Sequence, residues 1–190
     1  MTSANTAERL LDVAASLVQR RGFNGFSYRD LADVVGIKTA SIHYHFPTKA
    51  DLASALLTRY SEQLDEALAE IDRESRTARK RLARFVDLYR ETAATGDRIC
   101  LCGAMAADIG TLPDALRPQV HAYLDRSIAW LEQTISAGRR AGEIPSGGGA
   151  RTLASMLVSA LQGALIHARA IGSTEPVNAV ERAMKPLFKS

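Results

Sequence analysis

The amino-acid sequence predicts an all-α fold with about nine helices. Apolar residues recur at spacings of three and four along nearly every segment, which is the period of an amphipathic helix. The 190 residues include only 6 prolines, and no long stretch alternates apolar with polar residues as a strand does. With 46% hydrophobic and 24% charged residues, the chain can bury a large core and keep a polar surface.

Glycine, proline and capping residues divide this pattern into segments. The clearest breaks lie at 96–97, 110–113 and 142–149, and each of them contains glycine. We expect helices near residues 6–22, 27–35, 38–44, 48–72, 77–95, 101–109, 114–141, 147–171 and 176–188.

The first helix is amphipathic, and two short helices follow it. Its apolar side consists of Leu10, Leu11, Ala14, Leu17 and Val18. Ser27 is placed to cap the second helix, and Gly36 can adopt the positive φ that ends it. Ile37 and Ile42 then anchor the third helix, which Pro47 closes.

The second and third helices together predict a helix-turn-helix. A tight glycine turn joins them, and Ala32 is small where two helices must cross closely. The third helix has outward-facing polar, small and basic residues: Lys38, Thr39, Ala40, Ser41, His43 and His45. In a helix-turn-helix the second helix enters the DNA major groove, whereas an ordinary helical hairpin is the alternative interpretation.

The segments on either side of this pair favour the first interpretation. The turn Gly36-Ile37, the short helix after it and the aromatic-rich close Tyr44-His45-Phe46-Pro47-Thr48-Lys49 resemble the TetR family of bacterial transcriptional regulators. His43 departs from the tyrosine that is common at its position in that family. The resemblance implies a homodimeric repressor that binds a palindromic operator on double-stranded DNA and is released by a small-molecule or electrophile inducer.

The same resemblance implies two domains. Residues 1–48 would form the helix-turn-helix DNA-binding domain, and residues 49–190 an effector-binding and dimerisation domain. The fourth helix would connect them. Its apolar stripe is Leu52, Leu56, Tyr60, Leu64, Leu68 and Ile71.

The resemblance and the side-chain chemistry assign roles on DNA. Arg29 and Lys49 would bind phosphates, and Thr39, Ala40 and Ser41 would meet base edges. Lys38 suits either target, Tyr28 and Tyr44 suit sugars or phosphates, and His43 would donate with a charge that depends on pH. The full set of candidate DNA-binding residues is Ser27, Tyr28, Arg29, Lys38, Thr39, Ala40, Ser41, His43, Tyr44, His45 and Lys49.

The last two helices carry a signal for self-association. The segment 152–166 contains no charged residue, yet it is shorter than the ~20 residues that a membrane span needs. A helix that is apolar on all sides must be covered on all sides, either at the centre of a monomeric bundle or in a two-fold dimer. The resemblance favours the dimer. Candidate interface residues are Met156, Ser159, Gln162, Gly163, Ile166, Val180, Met184 and Leu187.

An effector pocket is less sharply defined by the sequence. Candidates lie on the middle helices at core spacing, and His167 is expected to be a buried, hydrogen-bonded histidine. The ligand would be mostly apolar with one or two polar groups. The candidate pocket residues are Leu64, Phe85, Tyr89, Met105, Tyr123, Trp130, Met156 and His167.

Cys100 and Cys102 form a Cys-Leu-Cys cluster at a predicted helix start. Their side chains diverge in a helix, so a mutual disulfide is not expected. Three interpretations stay open: buried apolar residues, a thiol sensor for oxidants or electrophiles, and a Cu(I) thiolate site.

Other classes of function lack their motifs. We find no Gly-x-Ser-x-Gly, no glycine-lysine phosphate loop and no His-Glu-x-x-His, so the sequence does not predict an enzyme, a cofactor or a bound metal. The formal net charge of +3 does not by itself demand a nucleic acid. The short polar start before the first helix predicts no signal peptide, hence a cytoplasmic protein with no membrane partner.

Overall fold

The computed structural model of the chain describes residues 3–185 and confirms the all-α class. The described residues form helices α1–α9 with a short 3-10 turn, Asp114–Leu116, between α6 and α7. Their bounds are, in order, Ser3–Arg21, Tyr28–Val35, Thr39–His45, Lys49–Glu74, Ala78–Ala94, Leu101–Ala107, Arg117–Arg140, Ala150–Ile171 and Glu175–Met184.

Most bounds fall within two residues of the predicted ones, and the later start of α8 has a local cause. The predicted helix at 147–171 begins at Ala150 instead, because Gly147 and Gly148 have φ values of 153° and 56°. The last helix ends at Met184, and the rest of its predicted span from residue 186 lies outside the described residues.

The chain divides into two compact units that are not simple halves of the sequence. The first unit contains the described residues up to Glu62 together with Leu101–Ala122. The second unit contains Gln63–Cys100 and the described residues from Tyr123 onward. Helices α4 and α7 therefore each contribute residues to both units. The predicted domain boundary after residue 48 stays a prediction about which segments fold independently.

The core of the first unit forms around α1. Helix α1 packs against α2 and α6, and α2 packs against α3. The side chains of Leu10, Leu31, Ile42 and Leu101 are completely buried. Because each such side chain contributes about 1.5–3 kcal/mol by burial, this cluster fixes the short helices α2 and α3 against α1.

The core of the second unit forms around α5 and α8. Helix α5 packs against both α8 and α9, and these two helices also pack against each other. Phe85, Leu82 and Leu161 are at most 1% exposed. One face of α8 therefore lies in the core of its own subunit.

The other face of α8 is open in the single chain. Met156 and Ile166 are 56% and 53% exposed, whereas Ala154 is fully buried. With 22 residues and a mean hydropathy of 1.2, α8 has the length and composition of a membrane span, but core helices of soluble proteins share both features. Its buried face identifies it as a core helix.

The packing around Gly138 of α7 can be tested by substitution. A Cβ atom there would lie 2.6 Å from the Ala78 Cβ and 2.7 Å from the Ile144 Cδ1. Gly138→Ala should therefore lower the free energy of unfolding by about 1–2 kcal/mol, measured by urea denaturation, because overpacking outweighs the gain in helix propensity. Gly110→Ala is the control, since its new Cβ meets no atom within 4 Å. Equal effects of the two substitutions would contradict the packing.

Candidate nucleic-acid interface

The first of the two short helices begins and ends as the sequence predicts. Ser27 and Asp30 form a capping box: the Ser27 amide donates to the Asp30 Oδ2 at 2.8 Å, and the Asp30 amide donates to the Ser27 Oγ at 3.4 Å. The hydrogen bonds from Ser27 hold the pKa of Asp30 below its usual value. Gly36 has a φ of 77° and ends α2 in the left-handed conformation.

Helix α3 exposes the residues that the sequence placed outward. Ile42 is completely buried and attaches the helix to the rest of the unit. Its remaining surface is open to solvent, and Tyr44 is 79% exposed. The exposed residues at and after the start of the helix are Lys38, Thr39, Ala40, Ser41, His43 and Tyr44, with His45 half-buried. A short helix of this kind can enter a major groove with these side chains facing the base pairs.

Arg29 and Lys38 supply the free positive charge near this helix. Both side chains are exposed, and within residues 3–185 neither has an ion-pair partner. A guanidinium and an ammonium in this state can each bind a phosphate without first breaking a bond within the protein. The predicted phosphate contact of Arg29 is thus geometrically available.

Tyr28 has a structural role that sequence reasoning missed. Its hydroxyl lies 2.9 Å from the Phe46 carbonyl and 2.6 Å from the Thr48 carbonyl, so it bonds the end of α3 to the start of α4. Burial, followed by the nearby charge of Asp51, raises its pKa to about 12. The hydroxyl is therefore already engaged, and the predicted contact of Tyr28 with DNA stays a prediction.

His43 is also tied to the following turn. Its Nδ1 lies 3.0 Å from the Pro47 carbonyl oxygen, and its ring is 4.8 Å from that of Tyr28. Since a carbonyl only accepts, the Nδ1 carries the hydrogen, as assigned from this partner. The neutral ring then has an accepting Nε2, which can bond an amino group of adenine or cytosine, whereas only the protonated ring can also donate to a phosphate.

The Lys49 ammonium forms its hydrogen bonds within the first unit. Its Nζ donates to the carbonyls of Phe23 and Phe26, each at 2.5 Å, and lies 4.6 and 4.2 Å from the centroids of their rings. Burial lowers its pKa, although the charges of Asp30 and Asp108 act in the opposite direction. The predicted phosphate contact would have to compete with these bonds.

The turn between α1 and α2 is held from the chain segment after α6 as well. The Asp108 Oδ2 accepts from the amides of Phe23 at 2.8 Å and Asn24 at 3.4 Å. The side-chain Nδ2 of Asn24 also donates to the Thr111 hydroxyl at 2.6 Å. Gly22, with a φ of 78°, leaves room for this carboxylate, which a Cβ would approach to 2.7 Å. Gly22 and Gly25, where a Cβ would lie 2.1 Å from the Arg21 carbonyl oxygen, are the signals of this turn in the sequence.

Most of the candidate effector residues lie in the core, and two of them line described cavities. Leu64, Phe85, Tyr89, Met105 and Tyr123 are buried core residues. Trp130 and Met156 line two different cavities. The expectation that His167 is buried is wrong, because its side chain is exposed on α8.

The candidate dimer residues are mostly on the open face of α8. Met156, Ser159, Gly163 and Ile166 are exposed, while Gln162 and Val180 are half-buried. Met184 is only 8% exposed and so contributes little surface. Leu187 lies outside the described residues.

Both cysteines are buried, Cys100 at 5% exposure and Cys102 at 0%. This burial agrees with the first of the three interpretations, in which they act as small apolar residues. It also limits access of an electrophile or oxidant to either thiol in this conformation. Their use as a thiol sensor stays a prediction.

The substitution Lys49→Met, which keeps the apolar part of the side chain, distinguishes a structural role of Lys49 from a phosphate contact. The bonds to Phe23 and Phe26 predict a loss of about 2 kcal/mol in the free energy of unfolding, with an unchanged salt dependence of DNA affinity. A phosphate contact predicts unchanged stability and a salt slope lower by about one. Lys38→Met is the matched control, since its exposed ammonium should affect only the slope. Chemical denaturation and a salt titration of DNA binding decide between the roles.

Comparisons with known proteins agree with this geometry. A family model described as "Bacterial regulatory proteins, tetR family" matches residues 10–56, and one described as "Tetracyclin repressor-like, C-terminal domain" matches residues 78–184. Among curated proteins, the chain is 35% identical over 72 residues to the HTH-type transcriptional repressor KstR2 of Rhodococcus jostii. That match covers 37% of this chain and 35% of the repressor, so the chain matches about a third of this relative's length.

Similar solved structures span the whole chain. A TetR family transcriptional regulator from Agrobacterium tumefaciens has a TM-score of 0.95 and 29% identity, with 100% of both chains covered. A TetR transcriptional regulator from Legionella pneumophila has a TM-score of 0.88 and 30% identity, with 96% of both chains covered. The family models together cover the helix-turn-helix and most of the helices that follow it. The chain therefore belongs to the tetR family of bacterial regulatory proteins.

Proposed function

We propose that the chain is a transcriptional repressor that binds a palindromic operator as a homodimer and is released by a small-molecule effector. The observation that carries this proposal is α3, in which Ile42 is buried while the polar and aromatic residues around it are exposed. Similarity to a protein named as a transcriptional repressor supports repression over activation. An enzymatic role has no support from these relatives, and a regulator that binds operators acts in the cytoplasm.

Recognition would combine a positioning part with a reading part. Arg29 and Lys38 are unpaired cations, which fix the register on the phosphate backbone. The hydroxyls of Thr39 and Ser41 can bond base edges, and the Ala40 methyl suits the methyl group of thymine. The long-range electrostatic part gives affinity, and the short contacts on α3 give sequence preference.

A homodimer would present two copies of α3 to two half-sites. In a two-fold dimer the centres of the half-sites lie about one helical turn, roughly 34–36 Å, or a multiple of it apart. The exposed face of α8 with Met156 and Ile166 supports self-association, because contiguous exposed apolar patches are typical of interfaces. The same patch meets itself across the axis in such an interface.

Release would follow from thermodynamic linkage. An effector lowers operator affinity only if it binds the DNA-free form of the protein more tightly than the DNA-bound form. Helix α4 contributes residues to both compact units. A ligand that alters the path of α4 in one unit would therefore also act on the part of α4 in the other unit.

DNA binding can be tested by selecting genomic fragments with the purified protein. We expect enrichment of a palindromic sequence. Arg29→Gln should weaken binding to all sequences alike and lower the salt slope by about one, whereas Ser41→Ala should alter the preferred bases. No enriched sequence, or an Arg29→Gln variant with the salt slope of the natural chain, would refute the proposed interface.

Dimerisation can be tested by placing a charge on α8. Ile166→Lys should shift the mass measured by sedimentation equilibrium from dimer toward monomer and weaken operator binding, because the lysine would be desolvated in the interface. Ile109→Lys is the matched control, since Ile109 is also an exposed isoleucine, at 40%, but lies off α8. A monomeric natural chain, or an Ile166→Lys variant that dimerises as before, would exclude this interface.

A further inference from the structure

We propose that the second unit contains a binding site for elongated aromatic carboxylates, in a cleft formed by the end of α4, the start of α5 and the C-terminal half of α7. The binding itself does not depend on the proposed function. The further claim that such an acid is the effector rests on that function.

The cleft has the size of a small-molecule site. Its volume is about 580 Å³, within the range of roughly 300–1,000 Å³ that ligand pockets occupy. Asp72 of α4 and Arg81 of α5 line it together with residues of α7. The α7 residues are Ala129, Trp130, Glu132, Gln133, Thr134, Ser136, Ala137 and Arg140. All of them belong to the second unit.

Trp130 provides a fixed aromatic wall. Its ring stacks on Phe85, with centroids 5.6 Å apart and planes at 21°, and Phe85 is only 1% exposed. The indole Nε1 donates to the Asp72 Oδ2 at 3.0 Å, which sets the rotation of the ring. With one face covered by Phe85, the surface that remains for the cleft can stack on a flat ring of a ligand.

The cleft contains a cation that is available to a ligand. Asp72 pairs with Arg81, with Nε to Oδ1 at 3.1 Å, while Glu132 shares Arg151 with Asp125. Arg140 is exposed and has no ion-pair partner within the described part of the chain. A guanidinium in this state favours an anionic ligand, and its planar fork matches a carboxylate.

Thr134 adds a hydroxyl to the wall of the cleft. The residue as a whole is only 3% exposed and lines the cleft. Within the described part of the chain, its hydroxyl is not one of the buried polar atoms that lack a hydrogen-bond partner. Because Thr134 lines the cleft, a polar group of a ligand there can bond this hydroxyl.

The spacing on α7 sets the length of the ligand. Ten residues separate Trp130 from Arg140, a rise of about 15 Å, and side chains on a helix lean toward its N-terminus. Both side chains lean this way and the arginine is the longer, so the guanidinium lies roughly 10–15 Å from the indole. A ring on Trp130 and a carboxylate on Arg140 then require a chain of several methylenes between them, as in phenylhexanoate.

The only tryptophan of the chain is Trp130, so intrinsic fluorescence reports directly on this cleft. Titration with phenylhexanoate should change the emission saturably. Phenylacetate is too short, phenylhexanamide lacks the charge and hexanoate lacks the ring, so each should bind at least about tenfold more weakly. Equal affinity of the acid and the amide would overturn the role of Arg140, and no saturable response to phenylhexanoate would overturn the site.

Variants identify the residues. Arg140→Gln should weaken phenylhexanoate binding about tenfold and Thr134→Val about fivefold. Lys80→Gln removes an exposed cation of α5 outside the cleft and should change nothing. If Lys80→Gln weakens binding as much as Arg140→Gln does, binding reflects general charge attraction and the proposal is wrong.

The effector claim has a separate readout. Phenylhexanoate should lower the operator affinity of the natural chain but not that of Arg140→Gln. Saturable binding without a change in operator affinity would refute the effector role and leave the site standing. A chain that selects no operator would refute the proposed function, while the fluorescence titration would still decide the site.

Discussion

The structure around the DNA-facing surface depends on fixing a helix that is too short to be stable alone. Helix α3 has seven residues, and isolated helices shorter than about 12–15 residues are marginal in water. Burial of Ile42 holds its middle, and the Tyr28 hydroxyl bonds the carbonyls of Phe46 and Thr48 just beyond its end. A hydroxyl that is bonded in this way would have to break those bonds to contact DNA, so the need to hold α3 limits which side chains are free for recognition.

This constraint separates two sets of residues that look alike in the sequence. Tyr28 and Tyr44 are both aromatic, yet the first is bonded within the protein and the second is 79% exposed. Lys38 and Lys49 are both basic, yet only Lys49 has its ammonium bonded to two carbonyls and set over two aromatic rings. Tyr28 holds the end of α3 and Lys49 holds the segment between α1 and α2, and the exposed residues can then change without loss of the fold. Variation of DNA sequence preference would fall on the exposed set.

Local signals sufficed for the helices and for the ends of α2, since periodicity, Ser27 and Gly36 act over a few residues. They did not suffice where partners are distant along the chain. Asp108 binds the amide of Phe23 across 85 positions, and Trp130 binds Asp72 across 58. A single sequence does not reveal such pairs, so it placed Trp130 and Met156 in one pocket although they line different cavities. His167 failed for a related reason: a lone histidine on an apolar helix lies on either face with equal ease.

Gly163 lies on the exposed face of α8. Glycine in the middle of a helix costs about 0.5–1 kcal/mol relative to alanine. At Gly138, the side chains of Ala78 and Ile144 lie too close to leave room for a Cβ atom. At Gly163, no atom of the described residues lies within 4 Å of the position of a Cβ. Packing inside the subunit therefore gives no reason for this glycine. In the proposed dimer the reason is external: without a Cβ, a second helix backbone can approach α8 closely beside the exposed Ile166. In that dimer, the helix would be weakened within each subunit so that two subunits can pack.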